Sequence, residues 1–132
     1  MDKKIFISYN DENMAIANGM SEYLDESNCF LHHRDVTPIN DNLLSESDQI
    51  LEALEKAKYL ILILSKYTCD AKSNLEEIRF ASDHNTKIIT FKIEDVKPSS
   101  ELEPYLDKSI WFDALEGSTF THMQKLEKLI SE

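Results

Sequence analysis

Tyr59-Leu60-Ile61-Leu62-Ile63-Leu64-Ser65 decides the fold. Its apolar run is too short for a typical helix and shows no alternation with polar residues. Such a run suits a strand covered on both faces, the place of a central strand in a parallel sheet. Upstream, Lys3-Lys4-Ile5-Phe6-Ile7-Ser8-Tyr9 reads as a first strand and residues 29–33 as a short second one. Downstream, residues 87–93 and 109–112 read as the fourth and fifth. Helical patterns fall between them. Ile16, Ala17, Met20, Tyr23 and Leu24 share one face, and Asp11 is placed to cap that helix. Leu43, Leu44, Ile50, Leu51 and Leu54 mark a second helix, residues 73–84 a third, and Phe120, Met123, Leu126, Leu129 and Ile130 a last one. Residues 94–107, with Pro98 and Pro104, form a looser stretch with room for one helical turn.

Strands alternating with helices from end to end predict an α/β fold: an open parallel sheet with helices on both faces, in a single domain over residues 1–132. In such sheets, ligands bind beyond the carboxyl ends of the strands, near the point where strand order reverses. Those ends are residues 8–12, 34–42, 65–74 and the segment after Ile93.

Composition narrows the function. A chain of 132 residues with 42% apolar content suits one hydrophobic core. No apolar run approaches the roughly 20 residues of a membrane-spanning helix, and the N-terminus has no signal-peptide pattern. The expectation is a soluble, cytoplasmic domain. The net charge of −11 argues against sequence-independent binding to nucleic acid or to anionic membranes. Cys29 and Cys69 belong to no pair motif and read as reduced thiols. His32, His33, His84 and His122 stand at no metal-ligand spacing, and His32 and His33 on a strand would face opposite ways, so no metal site is expected.

With only two glycines, Gly19 and Gly117, the chain can form neither a P-loop nor a G-x-G-x-x-G fingerprint. No serine stands in a G-x-S-x-G elbow. A phosphate-accepting receiver domain would need an aspartate closing its third strand, where Ser65-Lys66 stands instead.

Five segments, in shared order across nearly the whole chain, resemble a bacterial TIR domain. They are Ile5-Phe6-Ile7-Ser8-Tyr9-Asn10-Asp11; Arg34-Asp35-Val36-Thr37-Pro38, similar to the start of the family's BB loop; residues 50–65; Ser73-Asn74-Leu75-Glu76-Glu77-Ile78; and residues 91–96, with Trp111-Phe112-Asp113 after them. The resemblance implies a flavodoxin-like five-stranded sheet. Some TIR domains are protein–protein adaptors. Others cleave NAD at the bond between nicotinamide and ribose, and bacterial members often serve antiphage defence this way.

The resemblance implies that Glu77 is catalytic. Family enzymes place a glutamate on the third helix, four residues after a frequent tryptophan; Ser73 stands where that tryptophan would be. Ser8, Tyr9, Asn10, Arg34, Asp35 and Ser73 are the implied substrate-binding positions. NAD is the implied substrate, with no cofactor, and homotypic TIR–TIR self-association is the implied partnership. In the loop after Arg34, Ile39-Asn40 stands where a glycine commonly follows proline.

The chemistry suits a single carboxylate. Nicotinamide leaves a cationic ring as a neutral molecule and needs no proton from a general acid. The anomeric carbon gains oxocarbenium character, which a nearby carboxylate stabilises. A second reading is also available. Ser73-Asn74-Leu75-Glu76 resembles a capping box with Ser73 as N-cap, which would put Glu76 and Glu77 in a first turn where the helix dipole favours acids. On that reading the chain is a non-catalytic interaction module. Likewise, Arg34 either meets a phosphate or pairs with Asp35 at the surface.

Overall fold

A computed structural model describes residues 3–38 and 44–131. The strands are β1 (Ile5–Ser8), β2 (Cys29–Phe30), β3 (Tyr59–Leu64), β4 (Lys87–Lys92) and β5 (Ile110–Asp113). The helices are α1 (Met14–Tyr23), α2 (His32–Asp35), α3 (Glu46–Lys56), α4 (Lys72–Asp83), α5 (Glu103–Leu106) and α6 (Thr119–Ser131). All five strands run parallel in the order β2-β1-β3-β4-β5, the flavodoxin-like arrangement. Strand order reverses between β1 and β3, which pair from Ile5↔Tyr59 to Ser8↔Leu62.

All six residues of β3 are buried, and the two-residue period of a strand divides them between two cores. Tyr59, Ile61 and Ile63 join Ile5, Ile7, Ile89 and Phe91 under Ala17 and Met20 of α1 and Met123 and Leu126 of α6. Leu60, Leu62 and Leu64 join Phe6 and Ile88 under Leu54 of α3, Leu75, Ile78 and Ala81 of α4, and Leu102 and Leu106 near α5. The unbroken apolar run is therefore two alternating stripes, each covered by its own layer of helices. Fully burying a leucine or isoleucine contributes about 1.5–3 kcal/mol, so β3 anchors both layers.

Local signals set the helix ends. Ser45 caps α3 by accepting from the Asp48 amide at 3.2 Å. The second helix thus begins at Glu46, after Leu44, and Leu43 lies outside the described residues. Helix α4 ends in a Schellman motif: Asn85 takes the left-handed conformation (φ 59°), and Thr86 N donates to Ala81 O at 2.9 Å.

Three expectations need correction. Asn10 rather than Asp11 caps the entry to α1, accepting from Glu12 N at 2.9 Å at the head of a 3-10 turn, Asp11–Asn13. The second strand stops at Phe30, and His32 and His33 lie in the single turn α2. The Asp35 carboxylate reaches back to accept from Leu31 N at 2.8 Å, which closes that turn and ends the strand. Finally, Ala71 rather than Ser73 is the N-cap of α4, and no acid lies in that helix's first turn. The capping-box reading of Glu76 and Glu77 is therefore overturned.

Candidate active site

Ser8 is the last residue of β1, and its phase places it on the same face as Phe6, beneath α4. On α4, Asn74, Glu77, Ile78 and Ala81 fall at i, i+3, i+4 and i+7, a single helical stripe. Three of these four are fully buried, and Glu77 is half-buried. Polar side chains at the amino-terminal part of this stripe are thereby turned toward the carboxyl end of the sheet.

The contact that results joins residues 69 positions apart. Asn74 Nδ2 donates to Ser8 Oγ at 2.7 Å, and Ser8 Oγ donates to Glu77 Oε1 at 2.7 Å. The direction of this chain is fixed, because an amide nitrogen can only donate and the hydroxyl must pass its proton onward. One oxygen of Glu77 is thus held, and the other is available to a ligand. Burial raises the Glu77 carboxyl from its usual 4.5 to about 7; the Ser8 hydrogen bond pulls it part of the way back, and Glu76 adds a smaller push upward.

Glu77, Ser73 and Ile50 are shared by two adjoining cavities. One, of about 290 Å³, is completed by Tyr9, Asn10, Asp11, His32 and Asn74, with Phe6 and Ile7 at its floor. The other, of about 310 Å³, lies between α3 and α4 against Leu51 and Leu54, with Ser47 and Glu76 at its edge. Small-ligand sites span roughly 300–1,000 Å³, so the pair together offers room for a nucleoside-sized ligand.

The loops around this cleft are pinned. Ser65 Oγ donates to Asn13 Oδ1 at 2.7 Å, and Thr68 Oγ1 bonds Ile63 O at 2.7 Å, fixing the turn after β3. Gln49 of α3 bonds the amide and carbonyl of Thr37 at 3.1 and 2.7 Å and Leu44 O at 3.0 Å. It thereby gathers both ends of the loop that contains Ile39-Asn40, which itself lies outside the described residues.

A family model for the TIR domain matches residues 5–130. The chain belongs to the TIR-domain family. This TIR domain superposes on the TIR domain of the Toll-related receptor TRR-2 from Hydra magnipapillata with a TM-score of 0.71 and 16% identity, covering 98% of this chain and 99% of that one. It also resembles the CMP N-glycosidase BcmB of Clostridium botulinum, with a TM-score of 0.59 and 14% identity over 92% of this chain and 98% of that one. No curated protein matches the chain.

Within this TIR domain the implied site residues separate into two groups. Ser8, Tyr9, Asn10, Ser73 and Glu77 come together at the cleft. Tyr9 forms its wall, and its hydroxyl is bonded to the His33 ring and accepts from His33 N at 2.9 Å. Burial raises the Tyr9 phenol above its usual value, so it serves as a neutral wall. Ser73 is exposed at the rim of both cavities.

Arg34 and Asp35 line neither cavity. The Arg34 guanidinium is directed at Ser21 Oγ (2.9 Å), Glu26 O (3.0 Å), Cys29 O and Asp35. Asp35 also closes α2 and pairs with Lys3 at 3.7 Å. The two residues thus stand apart from the two cavities, where they tie the edge strand β2 to α1 and the preceding turn. Asn74 was absent from the expected site. Its signal was a polar residue three positions before Glu77 on an otherwise apolar helical stripe. Among the described residues, no group of three or more His, Cys, Asp or Glu could hold a metal ion. No helix among them is long and apolar enough to cross a membrane.

Proposed function

We propose that this TIR domain is an NAD-consuming N-glycosidase that cleaves the bond between nicotinamide and ribose, releasing a linear or cyclised ADP-ribose product. The observation that carries this reading is the Asn74–Ser8–Glu77 chain at the carboxyl end of the strands where sheet order reverses. Glu77 stands where a more polar cavity meets a more apolar one, a fit for the junction between a ribose and a planar base. The fold shared with an enzyme named as a CMP N-glycosidase supports the same class of bond.

In the proposed reaction the C1′–N bond breaks and its electron pair neutralises the pyridinium ring, so nicotinamide departs without a proton. Positive charge develops on C1′ and the ring oxygen, against the Glu77 carboxylate. Water then bonds to C1′ and releases its proton to solvent, or a nucleophilic atom of the ADP-ribose itself closes a ring. Ser8 and Asn74 hold the carboxylate in place, so little reorganisation is needed as the charge forms. Self-association would complete the site with a neighbour's loop, and the cellular setting we propose is cytoplasmic antiphage defence.

The test is incubation of concentrated protein with NAD, following free nicotinamide and all ADP-ribose species by mass spectrometry. Release of nicotinamide that disappears in Glu77→Gln is the expected result. No release at any protein concentration would leave the domain as a non-catalytic interaction module.

A further inference from the structure

Three basic residues in a row, His32-His33-Arg34, follow the edge strand β2 on the single turn α2. Two of them are engaged. His33 bonds the Tyr9 hydroxyl through Nδ1 and Asn18 Oδ1 at 3.0 Å through Nε2. Arg34 is turned to Ser21, Glu26 O, Cys29 O and Asp35. His32 is different. It is exposed, and among the described residues its side chain has no hydrogen bond, ion pair or ring contact. It lines the cavity that also holds Glu77, and among the described residues no other basic side chain lines either cavity.

The sheet sets where His32 stands relative to Glu77. Phe6 of β1 pairs with Phe30 of β2, and Leu31 is still extended, so His32 comes about level with Ser8, one strand over. Neighbouring strands lie about 4.8 Å apart, and Glu77 is held against Ser8 from α4. A ribose with C1′ at Glu77 and its base against Ile50, Leu51 and Leu54 has its 5′ carbon on C4′, across the ring oxygen from C1′. The 5′ substituent therefore leaves the base cavity behind and enters the space bounded by Asn10, Asp11 and His32. Asn10 is uncharged and spends its Oδ1 on Glu12 N, and Asp11 repels an anion. An imidazole can donate to a phosphate oxygen, and it adds a charge when both its nitrogens carry protons. On the opposite wall, the Ala71 cap leaves the first amides of α4 without a side-chain acceptor, so that wall also favours negative charge.

We infer that His32 holds the 5′-phosphate of the ribose being cleaved, donating from its ring to a phosphate oxygen. The inference rests on the N-glycosidase reading and adds a specificity-determining residue to it. His32 and Glu77 then fix the two ends of one ribose 5-phosphate unit, the phosphate at α2 and the anomeric carbon at α4. In NAD that phosphate is the nicotinamide-side half of the pyrophosphate.

The experiment compares nicotinamide mononucleotide with nicotinamide riboside, which differ only in this phosphate, on the full chain and on His32→Ala and His32→Lys. Nicotinamide release is measured and the Glu77→Gln background subtracted. The His32 side chain touches nothing among the described residues, so the variants should keep the fold. The ratio of kcat/KM, mononucleotide over riboside, should fall at least about tenfold in His32→Ala, the loss of one hydrogen bond to a charged group. The change should lie mainly in KM, and His32→Lys should restore most of it. A second arm measures binding of both compounds by calorimetry to Glu77→Gln, with and without His32→Ala, where no turnover is needed; the same ratio should fall there. A ratio that His32→Ala leaves unchanged would overturn the inference and move the phosphate to the start of α4. Equal losses for both compounds would overturn it too, because His32 would then shape the cavity without reading the phosphate. Either result leaves the N-glycosidase reading standing. No Glu77-dependent release from either compound would overturn that reading, and the binding arm would still decide this one: equal affinity for the two compounds, or none for either, would overturn it.

Discussion

Glu77→Gln should make the protein more stable in alkali while disabling it. Burial holds the Glu77 carboxyl at about 7 in the fold, against 4.5 as its usual value. The folded state therefore keeps this proton more tightly than the unfolded chain does. Below about pH 4.5 both states are protonated and the residue makes no pH-dependent difference. Between 4.5 and about 7 the unfolded chain loses its proton first, so wild-type stability falls as pH rises, and above about 7 the full cost is present. A tenfold difference in proton affinity between the two states corresponds to about 1.4 kcal/mol, which sets an upper bound of about 3.5 kcal/mol. Glu77 keeps partial contact with solvent, which reduces that figure, and about 1–3 kcal/mol is the expected range. Glutamine has the same size, can still accept from Ser8, and never ionises. Its amide nitrogen adds a cost of about 1 kcal/mol if it finds no acceptor, but that cost does not vary with pH. The difference in stability between variant and wild type should therefore grow toward the variant from about pH 4 to about pH 8, worth about 4 °C in Tm per kcal/mol for a chain of this size. Thermal or urea unfolding of both proteins across that range measures it. A stability difference that stays flat with pH would refute the claim that a buried, ionisable Glu77 strains the fold. Turnover should fall about 10²–10³-fold in the same variant above about pH 7, and the gap should narrow at lower pH as wild-type Glu77 is protonated, because the carboxylate acts on charge that forms near the transition state. Glu76→Gln, at an exposed position one residue away, should leave turnover nearly unchanged.

Three further outcomes are expected. Nicotinamide release by the wild type should rise with pH through about 7 and level off above it, since the ionised form of Glu77 does the work; a rate independent of pH between about 5 and 8 would count against that role. Asn74→Ala should remove the donor that orients Ser8, lowering kcat more than it raises KM and costing about 1 kcal/mol of stability, as kinetics and urea titration would report. Ser73→Trp should change stability by no more than about 0.5 kcal/mol, because the exposed serine caps nothing, and should tighten binding of the riboside half by about 0.5–1.5 kcal/mol through stacking; a stability loss near about 1 kcal/mol would reinstate Ser73 as a cap.

The sequence by itself determined the layers of this protein. The unbroken run from Tyr59 to Leu64 and the helical stripes around it carry the two periods of secondary structure, and those periods are local. They led to a parallel sheet with helices on both faces, and the order of the TIR-like segments led to Glu77. What the sequence could not decide were matters settled between distant residues. His32 and His33 continue an apolar run and so look like strand. They form a helical turn because Asp35 reaches back to the Leu31 amide where the edge strand runs out of partners. Arg34 looks like a phosphate ligand in the sequence, and only the fold shows that Ser21, Glu26 O and Cys29 O come to its guanidinium. Asn74 and Ser73 sit side by side in a plausible capping motif, yet α4 begins one residue before Ser73, which turns Asn74 inward and leaves Ser73 at the rim. The Asn74–Ser8–Glu77 chain spans 69 residues, and no local rule connects its ends. It exists because the phase of β1 and the phase of α4 meet across one face of the sheet, and that meeting is a property of packing rather than of any stretch of chain.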